Sequence, residues 1–424
     1  MDVRTHEELV AAAGDTGVRQ IVVRGTLTGL PALTLAPGQE LVGDGATLAF
    51  AGDGLVLTRD NTVSGLRIEV EPARRAIRAD IAGSLRLVGV TTVGQVQLLA
   101  TADVDGHIEV DGLDVVAADT RDRSPRPELL GVGAMQGAFT LWNTGPAMLT
   151  ADLRGISAGR DGAPVRGSGV FVAGRLEVRL LETAAVYTDG GIAEGTADTI
   201  SGGVFVVSGA HVEFVHNRGP VTTYGVNDMV LDNWGEVDRW TAEAPLTSYG
   251  RTGVGMVNFG SIGTLRIQAP IETHGVGARG FNVYRLDGFT GPTVESAEFE
   301  SITTHGDAAI GIQLGQPVGR LTVHKGITTA GAAGDSLVRG AIVRQVAHAV
   351  SIVPGGAVEM RVGGGIHASG TGADGVRVDG GTVRLSDTEV RAGDGAGVRV
   401  TGTGGVELHN VHAHGAHGDV VVER

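Results

Sequence analysis

The 424-residue chain contains no cysteine, so neither disulfide bonds nor thiolate metal sites contribute to its fold. Aromatic residues make up only 4% of it, and no apolar run is long enough to span a bilayer. Lys325 is the single lysine among 33 basic residues, and 48 acidic residues bring the net charge to −15. Since no basic stripe is present, we expect neither nucleic acid nor a membrane as a partner.

Glycine, by contrast, is abundant at 70 residues, and it marks a repeat. The repeat glycines Gly225, Gly250, Gly275, Gly306 and Gly331 are separated by steps of 25, 25, 31 and 25 residues. Apolar runs follow these glycines without helix signals, which predicts stacked coils of short strands. The aligned segments are AVYTDG (185–190), VTTYG (221–225), LTSYG (246–250), IETHG (271–275), ITTHG (302–306), ITTAG (327–331) and VHAHG (411–415).

The N-terminus carries the one clear helix signal. Thr5-His-Glu-Glu8 matches a capping box and predicts a short helix that Gly14 ends. The following runs IVVRG and ELVGDGATL resemble the cap and first coils of the pectate-lyase superfamily of right-handed parallel β-helices. Residues 302–331 are similar to the generic repeat of that fold. The resemblance implies an all-β, right-handed, single-stranded parallel β-helix with an N-terminal capping helix.

This fold predicts two parts of very different length. Residues 1–35 form the N-terminal cap, and residues 36–424 form a β-helix with about 25 residues per coil. Extra residues near 115–137, 191–201 and 287–292 predict loops inserted between strands, and such loops often flank a functional groove.

Parallel stacking aligns equivalent residues of successive coils at about 4.8 Å, so the residues before the repeat glycines should form an outward column. Glu272 lies in a second outward column, two residues earlier, at roughly 6.8 Å along the strand from His274. The first column is Asp189, Tyr224, Tyr249, His274, His305 and Ala330. The second is Tyr187, Thr222, Thr247, Glu272, Thr303 and Thr328.

A carboxylate beside imidazoles and phenols is the material of general acid–base catalysis. We therefore predict His274 or His305 as the acid or base, beside Glu272, with Tyr249 as a proton donor. Arg251 or Arg279, on the connecting turns, would stabilise developing negative charge.

Aromatic residues concentrate in the same zone, since residues 205–299 hold 11 of the 16 in the chain. Outward Trp and Tyr side chains suit stacking on sugar rings, whereas a ladder of stacked rings can also be structurally neutral. The predicted substrate-binding residues are Tyr224, Asp228, Trp234, Trp240, Asn282, Tyr284, Asp307 and Gln313.

Short motifs do not select one activity. His274-Gly275 and His305-Gly306 resemble the His-Gly pair of polygalacturonase-type hydrolases, but the paired aspartates of that family are missing. Arg251 or Arg279 near Asp228 resembles only loosely the arginine and calcium-binding aspartates of pectate lyases. His412 and His414 have a metal-ligand spacing without a third ligand in register, and no metal or cofactor is predicted.

The leading hypothesis is a carbohydrate-active enzyme of lyase, epimerase or hydrolase type acting on a saccharide in a lateral groove. A non-catalytic β-helix for binding or assembly is the alternative, and a cytoplasmic enzyme of small-molecule biosynthesis is a third. The start MDVRTHEELV has no apolar leader, which predicts a cytoplasmic protein if this N-terminus is native and a secreted one if a leader was removed. The run DVVVER (419–424) predicts an open last coil through which copies could associate into a homo-oligomer.

Overall fold

The computed structural model describes residues 1–103, 105–129, 131–284, 293–338 and 341–423. It confirms the all-β parallel β-helix, with 63% of the chain in strands and 2% in helix. Packing divides the chain into two compact units. The first is Met1–Pro127, Ala134–Gly190 and Val204–Arg218, and the second is Glu128–Gly133, Gly191–Gly203 and Gly219–Arg424. The predicted cap lies in the first unit, and the insertion expected near 287–292 lies outside the described residues.

The one helix, α1 (His6–Gly14), begins at the expected capping box and ends at the expected glycine. The Glu8 amide donates to Thr5 Oγ1 at 3.2 Å, and the Thr5 amide donates to Glu8 Oε2 at 3.2 Å. Leu9 is fully buried, as is expected of a helix that covers the first coil. Gln39 Nε2 donates to carbonyl oxygens at and just beyond the C-terminal end of the helix, which satisfies acceptors that the helix leaves open.

In the first half of the chain, the longest strands continue through a bend from one face of a coil to the next. In order, the strands of this half are β1 (Asp2–Val3), β2 (Gln20–Val23), β3 (Thr26–Leu30), β4 (Leu33–Thr34), β5 (Glu40–Phe50), β6 (Leu55–Leu57), β7 (Asn61–Glu69), β8 (Arg75–Asp80), β9 (Leu85–Val93), β10 (Gln95–Ala100), β11 (His107–Ala117), β12 (Glu128–Leu129), β13 (Val132–Ala134), β14 (Gly137–Asn143), β15 (Leu149–Ala158), β16 (Val165–Arg166), β17 (Ser168–Gly174), β18 (Leu176–Asp189), β19 (Thr199–Val206) and β20 (Ala210–Asn217).

Strands of the second half are shorter and more regular. They are β21 (Val221–Thr223), β22 (Asp228–Asn233), β23 (Glu236–Ala242), β24 (Leu246–Ser248), β25 (Val254–Asn258), β26 (Ser261–Ile267), β27 (Ile271–Thr273), β28 (Arg279–Val283), β29 (Val294–Phe299), β30 (Ile302–Thr304), β31 (Ile310–Leu314), β32 (Pro317–Val323), β33 (Ile327–Thr329), β34 (Ala333–Val338), β35 (Ala341–Val346), β36 (Val350–Ile352), β37 (Ala357–Val362), β38 (Ile366–Thr371), β39 (Val376–Asp379), β40 (Thr382–Asp394), β41 (Val398–Thr401), β42 (Gly405–Gly415) and β43 (Val420–Glu423).

Each regular coil of the second unit contributes one strand to each of three parallel sheets. One sheet runs through β21, β24, β27, β30 and β33, a second through β22, β25, β28 and β31, and a third through β23, β26, β29 and β32. Ile271, Ile302, Ile327 and Ile366 pair in register on the first sheet, and all are fully buried. This register stacks like on like and fixes which outward residues become neighbours.

The longest departure from the parallel coil pattern among the described residues is a hairpin in the second unit. Strands β34 and β35 pair antiparallel, whereas the coil strands around them are all parallel. They form a hairpin between the coil strands β33 and β36 and account for a step of 39 residues between Ile327 and Ile366, which are partners in register. Among the described residues, no helix is long and apolar enough to cross a membrane.

Candidate active site

The predicted outward column is an aromatic ladder of four residues, Tyr224, Tyr249, His274 and His305. Their ring centroids follow one another at 5.4, 4.8 and 4.7 Å, and successive ring planes differ by 9°, 11° and 5°. Each ring comes directly after a short strand of the first sheet, and the amides of three of them donate to the preceding coil. The backbone register therefore sets the ring spacing, as the repeat predicted.

Glu272 joins the ladder from the neighbouring column. Its Oε1 lies 2.7 Å from Nε2 of His305 in the next coil and 3.8 Å from Nε2 of His274 in its own coil. A carboxylate that accepts from one ring nitrogen fixes the tautomer of the imidazole and leaves the other nitrogen available. The closer contact is the diagonal one between coils, which spacing along a single strand does not reveal.

The burial of His274 sets it apart from an ordinary surface histidine. Burial lowers its pKa below the usual value, Glu272 opposes the shift, and the neighbouring His305 adds to it. His274 is 34% exposed and His305 is 41% exposed, so a ligand can reach both rings. Glu272, His274 and His305 are also chemically able to hold a cation.

Two other Glu–His pairs show which part of the Glu272–His305 arrangement recurs elsewhere on the coils. Glu177 and His211 of the first unit lie 2.7 Å apart, and Glu298 and His324 of the second unit lie 2.6 Å apart. A carboxylate–imidazole pair is therefore a recurrent surface contact of these coils. In the Glu272–His305 pair, the imidazole of His274 stacks on His305, and the phenol of Tyr249 stacks on the far side of His274.

The prediction that Trp240 contacts a ligand is wrong. This side chain is fully buried, because Trp240 stands in register with Leu265 at a core position of the third sheet. Trp234 is only 7% exposed and meets the ring of Phe259 edge-on at 6.1 Å. Phe259 stacks in turn on Tyr284 at 4.8 Å, so these rings form a second aromatic stack away from the ladder.

Arg279 is not free to stabilise charge on a substrate. Its side chain is 6% exposed, and the guanidinium donates to Gln313, to the Gly277 carbonyl oxygen and to Gln345. Gln345 belongs to the hairpin β34–β35, which the sequence did not predict. Arg251 is 40% exposed, with Nε 3.9 Å from the Glu194 carboxylate.

The remaining predicted binding residues are mostly buried. Asp228 is fully buried and accepts weakly from the Gly225 amide at 3.4 Å, inside the turn that follows Tyr224. Asn282 is 3% exposed, because both faces of β28 are buried. Gln313 serves as an acceptor for Arg279. Asp307 is exposed and accepts from the Ala332 amide at 2.9 Å.

The structure also contains a large surface hollow that none of the predicted site residues line. It has a volume of about 530 Å³ and lies over the first residues of β32, β37, β40 and β42. Its charged lining residues include Arg384 and Glu407, which pair with each other at 2.8 Å. The ladder does not line this hollow. It is a row of ring edges exposed on the surface.

Sequence reasoning missed a buried polar cluster around His348 and Asp374. The Asp374 amide donates to His348 Nδ1 at 3.0 Å, and its carboxylate contacts Arg399 Nε at 3.1 Å and Arg377 at 3.3 Å. Burial lowers the pKa of His348 to about 4, opposed by Asp374 and assisted by the two arginines. His348, Asp374 and Arg399 lie on three different coils. The spacing of the repeat glycines does not indicate that these side chains meet.

Fold and site together define an all-β parallel β-helical protein with one mixed His, Tyr and Glu ladder on its second unit. Comparisons with protein-family models, curated proteins and solved structures found no match to this chain.

Proposed function

We propose that the protein is an enzyme that acts by general acid–base chemistry on a polyhydroxylated substrate, in the first place a saccharide. The observation that carries the proposal is the 2.7 Å contact of Glu272 with His305 inside a stack that continues through His274 to Tyr249. Four groups able to donate or accept protons thus line one row of the surface.

The roles follow from these contacts. His305 exchanges a proton with the substrate, and Glu272 orients its ring and stabilises the imidazolium that forms. Tyr249, which is 49% exposed, is the proton donor on the far side of His274. Arg251 takes the role of stabilising negative charge on the substrate, because Arg279 is buried and hydrogen-bonded within the protein.

The geometry supports one way of holding a saccharide, by hydrogen bonds to ring edges. Inner rings of the ladder cover one another, so their faces are not open for stacking on a sugar. Their edges carry the phenol oxygens and imidazole nitrogens, spaced by one coil, and they would hydrogen-bond to hydroxyl groups along a chain. The resemblance of the coils to the pectate-lyase superfamily supports a lyase, epimerase or hydrolase, without selecting among them.

A non-catalytic binding scaffold is the second candidate. It is favoured by the two other Glu–His pairs, which show that such contacts recur on the surface of these coils. In that case the ladder only stabilises the stacking of coils, and the protein turns over none of the oligosaccharides.

The test is a turnover assay on a panel of neutral and uronate-containing oligosaccharides, read by product release and by NMR. We expect His305→Ala and Glu272→Gln to lower kcat by about 10²–10⁴-fold while the melting temperature stays within a few degrees. His324→Ala is the matched control, since His324 makes the same contact with Glu298. No turnover of any oligosaccharide by the parent protein would favour the scaffold. Equal losses in all three variants, or a loss of stability parallel to the loss of turnover, would contradict the catalytic roles given to His305 and Glu272.

A further inference from the structure

Three side chains with metal-ligating atoms meet on the ladder. Among the described residues, Glu272, His274 and His305 are the one group of three whose donor atoms all lie within 4.8 Å of one another. Both histidines direct Nε2 towards the same Glu272 oxygen, at 3.8 and 2.7 Å. We propose that these three residues bind a divalent transition-metal ion of the Zn²⁺ or Co²⁺ type.

The donor set selects the class of metal. Two imidazole nitrogens and one carboxylate oxygen suit zinc and its neighbours, whereas calcium and magnesium take all-oxygen sites. Three protein ligands leave at least one position of a four-coordinate ion for water or another small ligand. A site of this composition is therefore of the open type.

The distances fit an ion after small side-chain rotations. Bonds of about 2.1 Å in a tetrahedron place donor atoms roughly 3.4 Å apart. The Glu272–His305 contact is shorter than this value and the Glu272–His274 contact is slightly longer, so neither pair has to move far. All three side chains are 34–45% exposed, so they can adjust without disturbing the core.

The backbone places His274 and His305 next to each other before any ion binds. His274 and His305 occupy the same place in successive coils, and their rings are parallel within 5° at 4.7 Å. On one side Tyr249 stacks against His274. On the other side the next coil carries Ala330, so the row of rings ends at His305. Since all three side chains are partly exposed, the open coordination position would face solvent along the ring edges.

This inference stands apart from the proposed function, because metal binding is measured without any substrate. A protein that binds metal without turnover, or turns over without metal, separates the two proposals.

The experiment is calorimetric titration of chelator-treated full-length protein with Zn²⁺, together with Co²⁺ absorption spectra. We expect one ion per chain, with each of Glu272→Gln, His274→Ala and His305→Ala weakening binding at least about 100-fold. Intense d–d bands of bound Co²⁺ would report four or five coordination. His324→Ala, which breaks a Glu–His pair without a third donor, should leave the affinity unchanged.

Histidines of the last coil provide the sharpest alternative, because His412 and His414 are exposed and have a metal-ligand spacing. A double variant, His412→Ala with His414→Ala, should bind Zn²⁺ as the parent does. Loss of binding in that variant, or unchanged binding after the three ladder substitutions, overturns the proposal. Circular dichroism of every metal-free variant confirms folding, and His305→Gln replaces any alanine variant that misfolds.

Discussion

At the scale of single residues, identical pairs acquire different chemistry from their neighbours. Glu298–His324 and Glu272–His305 have nearly the same separation and similar exposure. Only the second has another imidazole stacked at 4.7 Å and a phenol beyond it. A carboxylate–imidazole contact on a coil surface is thus no evidence of function by itself. The groups above and below it in the stack decide what it can do.

His348 shows a different consequence of burial, in the pH dependence of stability. The folded pKa is about 4, below the ordinary 6.5, so between these values the unfolded chain binds more protons than the folded one. Lowering the pH from 6.5 towards 4 should therefore destabilise the fold, by about 3 kcal/mol at most from this residue.

The comparison is His348→Asn, whose side-chain oxygen can accept from the Asp374 amide without titrating. We expect urea unfolding of this variant to lose much of the pH dependence that the parent shows between pH 6.5 and 4. His324→Asn, at an exposed site, should retain that dependence. Parent-like behaviour of His348→Asn would show that other groups control acid stability.

At the scale of elements, the repeat glycines allow successive coils to come into close contact. A Cβ placed on Gly331 would lie 1.8 Å from the Gly306 carbonyl oxygen, and one on Gly275 would lie 1.8 Å from that of Gly250. These contacts are with backbone, which cannot rotate away. The glycine at this position is therefore a requirement of stacking, and it places the residue before it on the ladder.

Gly331→Ala should accordingly cost about 3 kcal/mol or more of unfolding free energy, because the coils must separate locally. Gly405→Ala is the control in the same unit, since its Cβ would meet only the Thr382 methyl group at 3.4 Å. We expect that control to change the free energy of unfolding by less than about 0.5 kcal/mol. Urea denaturation measures both, and similar costs would contradict the close-contact argument.

At the scale of the whole molecule, charge limits the substrate. The chain carries a net charge of −15, and Arg279 is buried while Arg251 faces Glu194. Such a protein repels polyanions at low salt, where screening is weak. If the site acts on saccharides, neutral ones are the better match.

We therefore expect kcat/KM for a neutral oligosaccharide to vary by less than about twofold between low and high salt. For a uronate oligosaccharide, KM should fall as salt rises, because screening weakens the repulsion. Steady-state kinetics at several ionic strengths test this expectation. Uronate binding that weakens with added salt would instead require a cationic groove and contradict the charge argument.

The fold and the ladder register could be predicted from the sequence because both depend on local spacing. A repeat of glycine and inward apolar residues specifies the coil, and parallel pairing converts a fixed step into stacked neighbours such as His274 and His305. The capping box of α1 is likewise a short-range signal, and the helix begins where that signal predicts.

Other features depended on contacts that no local pattern encodes. The diagonal reach of Glu272 to His305, the burial of Trp240 and the engagement of Arg279 by the hairpin all follow from packing between coils. The hairpin was not predicted, because Ile366 became the partner of Ile327 only through the pairing of the strands in the structure. Sequence alone determined which residues share a column, since strand periodicity is local. Only the tertiary structure decided which of them touch, because side-chain reach and burial depend on every neighbouring coil.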